Sequence, residues 1–318
     1  MQTKPLVTII TPSYNQVSYL DQSIQSVLNQ DYPNKEYIIV DGGSIDGSVD
    51  TINKYKDRLA WWVSEKDKGQ ADAFNKGLLH ANGKYIGWLN SDDLYLPHAV
   101  SEAIDLLEQN QELAFVFSDV KSINQKGLTT NIMNYSDWNL LDLMQFKIIG
   151  QPAVFMRKDL LLSVGGLDTS YHFLLDHHLW LKLASKAPIK YSTKSMWAAA
   201  RFHEEAKNIA QAEKFGEEAY RLVEWMEKNP DLNKIFLDNH NKILAGAHRM
   251  DARYLLDGGK YNESFKVYWQ GLMLDVATIL PEFHRMIYAL LAPLGLFRLK
   301  NLFLKVKFLI KRPDRKEK

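Results

Sequence analysis

The chain has 318 residues, of which 46% are hydrophobic and 24% are charged. This composition is typical of a globular protein with a buried core, and the length favours one large domain with a smaller addition. A formal net charge of +1 gives no reason to expect nucleic acid as a partner, and the absence of Cys excludes disulfides, thiolate metal ligands and a Cys nucleophile.

The N-terminal segment contains one short apolar run, residues 7–10, which is too short for the core of a signal peptide. The lack of Cys fits a reducing compartment. We therefore expect a cytoplasmic protein.

Strand-like and helix-like segments alternate from residue 6 to residue 93. The segment LVTIITP predicts a strand that ends at Pro12, and three further strands are predicted in EYIIVDGG, LAWWVSE and KYIGWLN. Helical spacing of apolar residues predicts a helix between each pair of strands, and the third of these helices precedes the Asn82-Gly83 pair that favours a helix end. This alternation predicts a parallel sheet with helices on its faces.

Polar clusters follow three of the predicted strands: TPSYN, DGGSIDGS and NSDD. Ligands of open α/β sheets bind beyond the carboxyl ends of the strands. We therefore expect the three clusters to converge on one crevice.

The second half of the chain changes character near residue 206. Before this point, AFVFSDVKSIN and KYSTKSMWAAARF each predict a strand, and QPAVFMRKDLLLSVGGLD predicts a strand followed by a helix. After it, the sequence is almost purely helical, with a helix pair predicted to turn at Gly258 and Gly259. We place a domain boundary there.

Two adjacent carboxylates, Asp92 and Asp93, end the fourth predicted strand. Neighbouring carboxylates repel unless a proton or a cation lies between them, and a hard divalent metal satisfies this need. The alternative is a solvated turn that caps the following helix. Similarly, Asp41 with Gly42 and Gly43 predicts either a ligand contact or an Asx turn.

Four segments in this order and spacing, VTIITPSYNQ, EYIIVDGGSIDGS, EKDKGQADAFNKGL and GKYIGWLNSDD, resemble the inverting, metal-dependent glycosyltransferases of family 2. The resemblance covers residues 5 to 205. It implies an α/β GT-A fold, a Rossmann-like and mostly parallel sheet flanked by helices, over residues 1–205. An α-helical C-terminal extension, residues 206–280, lies outside the resemblance.

The resemblance also implies a site for a nucleotide sugar. The residues that it assigns to the nucleotide and the sugar are Thr11, Pro12, Ser13, Tyr14, Asp41, Lys68, Gln70, Asp72 and Asp92. It implies a divalent cofactor, Mn²⁺ or Mg²⁺, on Asp92, Asp93 and His203. NSDD matches the DXD element with Asn90 where an Asp is often found, and we favour Asp93 as the principal ligand.

The segment FLLDHHLWLKL resembles the acidic segment of the family that precedes a Leu-Trp pair, which implies that Asp176 is the catalytic base. The alternative is an exposed residue on an amphipathic helix. We interpret His177 and His178 as helix-face residues rather than metal ligands, because no spaced partner accompanies them. Gln151 begins a strand that the resemblance places beside the acceptor.

The implied reaction transfers a sugar from a nucleotide diphosphate sugar, with UDP favoured, to a hydroxyl of a saccharide or a lipid-linked saccharide, in cell-surface polysaccharide synthesis. Two alternatives stay open. One is a catalytically silent saccharide-binding or scaffolding protein with the same fold. The other is a nucleotidyltransferase, although TPSYNQ lacks the basic, Gly-rich loop that such enzymes usually carry.

The C-terminal segment, residues 281–318, contains ten Lys or Arg and three Asp or Glu. A helix here would form one apolar stripe and a separate basic side. The stripe consists of Leu299, Leu302, Phe303, Val306, Leu309 and Ile310, and the basic side of Lys300, Lys307 and Lys311. This pattern predicts a helix that lies on an anionic membrane surface, on the inner face of the cytoplasmic membrane. Docking on protein is the alternative.

Overall fold

The computed structural model describes residues 4–202 and 212–294. Two sheets and twelve α-helices account for most of these two ranges. The strands are β1 Val7–Ser13, β2 Lys35–Asp41, β3 Trp61–Ser64, β4 Tyr85–Trp88, β5 Leu94–Tyr95, β6 Phe115–Ser118, β7 Val120–Ile123, β8 Thr129–Met133, β9 Val154–Arg157, β10 Ile189–Ser192 and β11 Ala198–Arg201.

The helices alternate with the strands in the first part of the chain and follow one another after residue 212. They are α1 Val17–Leu28, α2 Ser48–Tyr55, α3 Gln70–His80, α4 Ala99–Gln109, α5 Leu140–Met144, α6 Lys158–Ser163, α7 Leu175–Ala184, α8 Ala212–Lys228, α9 Asn233–Asp257, α10 Tyr261–Leu274, α11 Val276–Ile279 and α12 Phe283–Leu291. Of the helices in these ranges, none is both long and apolar enough to cross a membrane.

The main sheet has seven strands in the order β10-β6-β9-β4-β1-β2-β3. The four strands predicted in the first part of the chain, β1 to β4, are all parallel, which confirms that prediction. The single reversal is β9, which runs antiparallel to both β4 and β6. The smaller sheet has the order β5-β11-β7-β8.

Alternate residues of the strands enter different cores, as strand geometry requires. Val7 and Ile9 of β1 pack in the core on the side of α1, α2 and α4. Ile10 packs on the opposite side, in a core that also contains residues of α3, α7, α8 and α9. Helices α8 and α9 therefore share a core with the sheet, whereas Tyr268 of α10, Ile279 of α11 and Met286 of α12 belong to a separate cluster.

Three local expectations are wrong. Pro12 lies within β1, which continues to Ser13, because β1 pairs with β4 only from Val7 to Ile10 and beyond that point has β2 as its one neighbour. A strand with an open side tolerates a residue without an N–H donor. AFVFSDVKSIN and KYSTKSMWAAARF each form two strands that join different sheets. The strand must be interrupted where the chain passes from one sheet to the other, and the alternation of apolar and polar residues does not show where this interruption lies.

The helix α3 ends at His80, two residues before the Asn82-Gly83 pair that predicts its end. Gly83 lies instead where a Cβ atom would be 2.4 Å from the backbone nitrogen of Thr8. Its small size thus allows the chain to pass close to β1. The helix pair that turns at Gly258 and Gly259 is present as α9 and α10, and the boundary near residue 206 falls in 203–211, outside the described residues.

Candidate functional site

The ends of β1, β2 and β4 meet at one edge of the main sheet. The three strands are parallel neighbours, so their carboxyl ends lie side by side. The N–H of Gly42, just after β2, donates to the carbonyl of Ser13, the last residue of β1, over 2.8 Å. We call this edge the strand-end crevice.

The loop after β2 is fastened to the loop after β1. Asn15 has a left-handed backbone, φ 51°. Its N–H donates to Ser44 Oγ over 2.7 Å, and its side-chain oxygen accepts from the N–H of Ile45 over 3.0 Å. Asp46 accepts from the N–H of Val17, the first residue of α1, over 2.9 Å. These bonds fix one wall of the crevice.

Asp41 lies beneath this loop with 0% of its surface exposed. Its carboxylate accepts from the N–H groups of Gly43 and Ser44 and from the hydroxyls of Ser44 and Ser64, at 2.5 to 3.1 Å. This is an Asx-type turn, in which the carboxylate shapes the loop. The assigned contact of Asp41 with the base stays a prediction, and it requires one of these four donors to move.

The other residues assigned to the base are mostly buried as well. Thr11 and Pro12 are in β1, and Thr11 Oγ1 accepts from the hydroxyl of Tyr37 over 3.0 Å. The Ser13 hydroxyl is buried and has no partner within the described protein. Tyr14 is 61% exposed and presents its ring to solvent. Tyr14 is therefore the member of this group that a ligand can reach directly.

The residues assigned to the diphosphate and sugar surround the start of α3. Asp72, in the first turn, accepts from the N–H of Lys68 over 3.1 Å and lies 3.5 Å from the ammonium of Lys76. The side chain of Lys68 is exposed. Gln70 donates to the side-chain oxygen of Asn90 over 2.5 Å, which connects α3 to the NSDD segment.

The two adjacent aspartates have different environments. Asp93 is 5% exposed, and its Oδ1 accepts from the N–H of Arg201 over 2.8 Å. Burial, together with the neighbouring Asp92 carboxylate, raises the pKa of Asp93 well above its usual range. Asp92 is half-buried. The more accessible carboxylate is thus Asp92, whereas the sequence led us to favour Asp93 as principal ligand.

Arg201, which the sequence did not single out, fixes the NSDD segment. Its Nε donates to the carbonyl of Asp92 over 2.9 Å and its Nη2 to Gln22 over 3.0 Å. Nη1 donates to the carbonyls of Asn124 and Gln125, both at 3.1 Å. A buried guanidinium with five donors is suited to join several segments in this way.

A cavity of about 190 Å³ lies beside the crevice. Asn90 and Asp176 both line it, so the NSDD segment and the predicted base face the same space. The remaining lining residues come from several elements: Gln70, Trp88, Gln151, His172, Phe173, Leu175 and Phe215. Two buried polar atoms of this lining, Trp88 Nε1 and Gln151 Oε1, have no partner within the described protein.

Asp176 is in the first turn of α7. Burial raises its pKa to about 6, in spite of the N–H of His177, which donates to Oδ1 over 2.7 Å. A carboxylate with this pKa accepts a proton near neutral pH more readily than an exposed one. Glu218 of α8 lies close enough to add a smaller increase.

His177 and His178 lie on buried faces of α7. Both are buried, and burial lowers the pKa of His177 to about 4 and that of His178 to about 3. His177 Nε2 lies 3.0 Å from the carbonyl of Leu143. Trp180 is also fully buried, next to Trp88 and Phe115.

In the two described ranges, no three His, Asp or Glu side chains form a metal site. His203, the third predicted ligand, lies outside these ranges. The oxygen donors that are described, the Asp92 carboxylate and the Asn90 amide, fit a hard ion such as Mg²⁺ or Mn²⁺. Such an ion is commonly bound by one or two carboxylates together with substrate phosphates.

Comparison with known proteins decides the family. The model of the family described as glycosyl transferase family 2 matches residues 8–160. The chain therefore contains a glycosyltransferase family 2 domain over residues 8–160. A putative teichuronic acid biosynthesis glycosyltransferase of Bacillus subtilis, TuaG, is a relative of this family 2 chain with 32% identity over 161 residues, which are 49% of this chain and 64% of TuaG.

A further relative of the family 2 chain is the chondroitin synthase of Escherichia coli, 30% identical over 193 residues. These are 60% of this chain and 28% of the synthase. An uncharacterized glycosyltransferase of Rickettsia bellii is 33% identical over 63% of this chain and 30% of its own length. The chain thus spans less than two thirds of each of these relatives.

Solved structures confirm the GT-A fold of the family 2 chain. Staphylococcus aureus TarS 1-349 in complex with UDP-GlcNAc superposes with a TM-score of 0.57 and 16% identity, over 86% of this chain and 89% of TarS 1-349. The mannosyltransferase PcManGT of Pyrobaculum calidifontis, in complex with GDP-Man and Mn²⁺, gives a TM-score of 0.60 and 19% identity, over 96% of this chain and 89% of PcManGT. The predicted α/β class and helical extension are therefore correct.

Proposed function

We propose that this chain is an inverting glycosyltransferase that moves a sugar from a nucleotide diphosphate sugar to a hydroxyl group. The observation that carries the proposal is the cavity that Asn90 and Asp176 share. It brings the first residue of the NSDD segment, near which the donor diphosphate is expected, to the same space as the half-buried Asp176 carboxylate. A displacement reaction needs these two groups on opposite sides of one reacting carbon.

Asp176 acts as the general base in this proposal. It accepts the proton of the acceptor hydroxyl while the hydroxyl oxygen attacks the anomeric carbon from the face opposite to the nucleotide. The bond to the diphosphate oxygen breaks as the new bond forms, so the configuration at that carbon inverts. Proton transfer to a positioned base contributes roughly 10²- to 10⁴-fold to the rate.

Asp92, with Asn90 beside it, is the group that we propose to hold a divalent ion between protein and diphosphate. When bound, the ion supplies neutralisation of the charge that develops on the leaving diphosphate. The presence of Mn²⁺ with GDP-Man in PcManGT supports this assignment. Asp93 is buried and accepts the N–H of Arg201, which fixes the position of the NSDD segment. His203 stays a predicted third ligand.

We propose a UDP-sugar as donor and a saccharide or lipid-linked saccharide as acceptor, in the synthesis of a cell-surface polysaccharide. The names of TuaG and chondroitin synthase support the polysaccharide, and the TarS complex supports UDP. GDP is the alternative nucleotide, as in PcManGT. The unpartnered Trp88 Nε1 and Gln151 Oε1 are suited to sugar hydroxyls, which both donate and accept hydrogen bonds.

The nucleotide is tested by thermal unfolding of the purified protein with UDP, GDP, dTDP or CMP, each with Mn²⁺ and with EDTA. A ligand at 100 times its Kd stabilises a protein by roughly 2.7 kcal/mol. We expect this stabilisation from UDP with Mn²⁺ and its loss with EDTA. Stabilisation by another nucleotide instead of UDP would assign the donor to that nucleotide. Stabilisation by none of the four argues against the proposed donor site.

The base is tested with Asp176→Asn, which keeps the shape of the side chain and removes its ability to accept the proton. We expect release of the nucleotide from its sugar donor to fall by roughly 10²- to 10⁴-fold, with donor binding within a factor of a few. Full activity in this variant disproves the role of Asp176. Loss of donor binding together with activity places Asp176 in the donor site instead.

A further inference from the structure

A buried carboxylate, Glu218, lies next to the segment that precedes Asp176. Glu218 is in α8, within the helical extension, and is 5% exposed. Its Oε1 accepts from the N–H of His172 over 2.7 Å. Its Oε2 accepts from the N–H groups of Phe173 and Leu174, over 2.9 and 2.8 Å. One side chain thus receives three consecutive backbone donors.

These three donors lie directly before the catalytic helix. Leu174 is the N-cap residue of α7. Its apolar side chain makes no capping hydrogen bond to the helix. N–H groups before and at the start of a helix lack partners within the helix and need others. Glu218 supplies them from a different part of the chain, so the entry to α7 and the first-turn residue Asp176 are held by α8.

The energetics show that this contact is strong. A carboxylate in a buried position costs several kcal/mol unless hydrogen bonds replace its water. Bonds from backbone N–H groups to a charged carboxylate are shorter and roughly twice as strong as those between neutral groups. The three bonds of Glu218 compensate its burial only while residues 172–174 keep their present conformation. The carboxylate and the segment therefore fix each other.

Another residue of α8 contacts the same segment. Phe215 lines the cavity and packs edge-on against Phe173, with 5.0 Å between ring centroids. Its other face stacks on Tyr254 of α9 at 3.9 Å. The helical extension thus supplies one wall of the cavity in addition to the contact made by Glu218.

We propose that Glu218 is a positioning residue for the base Asp176, and that the helical extension thereby completes the active site. The proposal rests on the proposed function, in which Asp176 takes the proton. Neither Glu218 nor Phe215 lies in the matched family segment, residues 8–160. Glu218 does not touch the reacting atoms, and it acts through the backbone of residues 172–174.

Glu218 also affects the charge of the base. Its carboxylate adds to the increase in the pKa of Asp176, after burial as the main cause. In the described part of the chain, Tyr135 and Tyr254 also interact with Asp176, and burial raises the pKa of both hydroxyls well above their usual range, so they are neutral. Removal of the Glu218 charge should therefore lower the pKa of Asp176.

The test compares Glu218→Gln with Glu217→Gln, an equal charge change at the preceding, exposed position of α8. A glutamine keeps one acceptor oxygen and turns an N–H₂ group toward amides that donate, so at least one of the three bonds is lost. We expect kcat to fall by up to roughly 100-fold, the loss that a displacement of about 1 Å in a catalytic group can cause, with an unchanged KM for the donor. The acid limb of the pH profile should move to lower pH.

Hydrogen exchange provides a second measurement that does not depend on activity. The amides of residues 172–174 should exchange faster in Glu218→Gln than in the wild type, and they should be unchanged in Glu217→Gln. If Glu218→Gln does not fold, Glu218→Asp is used, since it keeps the charge and shortens the reach. The pH profile of Glu218→Asp should then stay in place while kcat falls.

Unchanged kcat with unchanged exchange in either folded variant of Glu218 overturns the proposal. So does an equal loss of kcat in Glu217→Gln. A wild-type protein that transfers no sugar refutes the proposed function instead, and in that case the exchange experiment still decides whether Glu218 fixes residues 172–174.

Discussion

At the scale of single residues, the structure separates two aspartates that the sequence presents as equals. Their position after β4 was predictable, because a polar pair directly follows an apolar run. Their difference was not, because Asp93 is buried and accepts the backbone N–H of Arg201, a residue 108 positions later in the chain. Contacts between residues so distant in sequence leave no local pattern. The same reason explains why Arg201 and Glu218 were missed.

This difference predicts unequal effects of substitution. Asp92→Asn should abolish most of the Mn²⁺-dependent stabilisation by UDP, and reduce transfer by more than the roughly 10- to 100-fold that loss of an outer-sphere partner costs. Asp93→Asn keeps an oxygen that accepts the N–H of Arg201. It should therefore reduce the stabilisation by UDP and the rate of transfer by less than Asp92→Asn. Thermal unfolding with Mn²⁺ or EDTA measures both variants. A larger loss in Asp93→Asn would restore Asp93 as the principal ligand.

The raised pKa of Asp176 predicts a pH dependence. The base works only in its deprotonated form, and its pKa is about 6. We therefore expect kcat/KM to fall about tenfold per pH unit below that value, and to be level just above it. Rates measured from pH 4.5 to 8 with a nucleotide sugar test this. A profile that stays level down to pH 4.5 would contradict it, because an ordinary carboxylate has a pKa of about 3.9.

At the scale of elements, the regular part of the fold follows from apolar periodicity. β1 to β4 and the helices between them were predicted, because each strand is an apolar run followed by polar residues; β1, β2 and β4 are mostly buried and the edge strand β3 is half-buried. The sheet change at Asp119, between β6 and β7, was not. Both strands are mostly buried, and the polar residues Ser118 and Asp119 between their apolar residues do not show that the chain changes from one sheet to the other. The packing of α9 on α5 was not predictable either, because the two helices are far apart in the sequence.

This packing depends on a glycine. Gly246 of α9 lies where a Cβ atom would be 2.3 Å from the backbone oxygen of Gln145, next to α5. Arg249 donates to the same carbonyl over 3.0 Å. Gly246→Ala should therefore lower the free energy of unfolding by roughly 1 to 3 kcal/mol, the usual cost of overpacking.

Urea unfolding measures this change, and Gly271→Ala in α10 is the matched control. The nearest atom to a Cβ at Gly271 is the end of the Ile279 side chain, at 2.8 Å, which can move more easily than a backbone. Gly271→Ala should therefore lower the free energy of unfolding by less than Gly246→Ala. Equal stability of Gly246→Ala and the wild type would show that α9 is not held tightly against α5.

At the scale of the whole molecule, the sequence predicts that the basic C-terminal segment binds an anionic membrane surface. The predicted amphipathic helix falls in residues 295–318, outside the described part of the chain. α12 precedes it, and Met286 and Ala289 of this helix are buried. A deletion that starts after residue 294 therefore leaves the packed helices complete.

We predict that the chain ending at residue 294 binds anionic vesicles more weakly than the full chain. The deleted residues 295–318 contain nine Lys or Arg, and each Lys or Arg near an anionic surface contributes about 1 kcal/mol. Co-sedimentation with vesicles that contain phosphatidylserine measures this, with neutral vesicles as control. Equal sedimentation of both proteins favours docking of the segment on protein.

The shared core has a consequence for engineering. Exchange of extensions between relatives is an obvious way to seek new acceptors, and residue 206 is an obvious place to join them. Such a chimera would set a foreign helix against residues 172–174 and remove the partner of three backbone amides. The unit that can be transplanted is therefore the extension together with the segment it fixes, and a fusion that respects the sequence boundary alone would separate the base from its support.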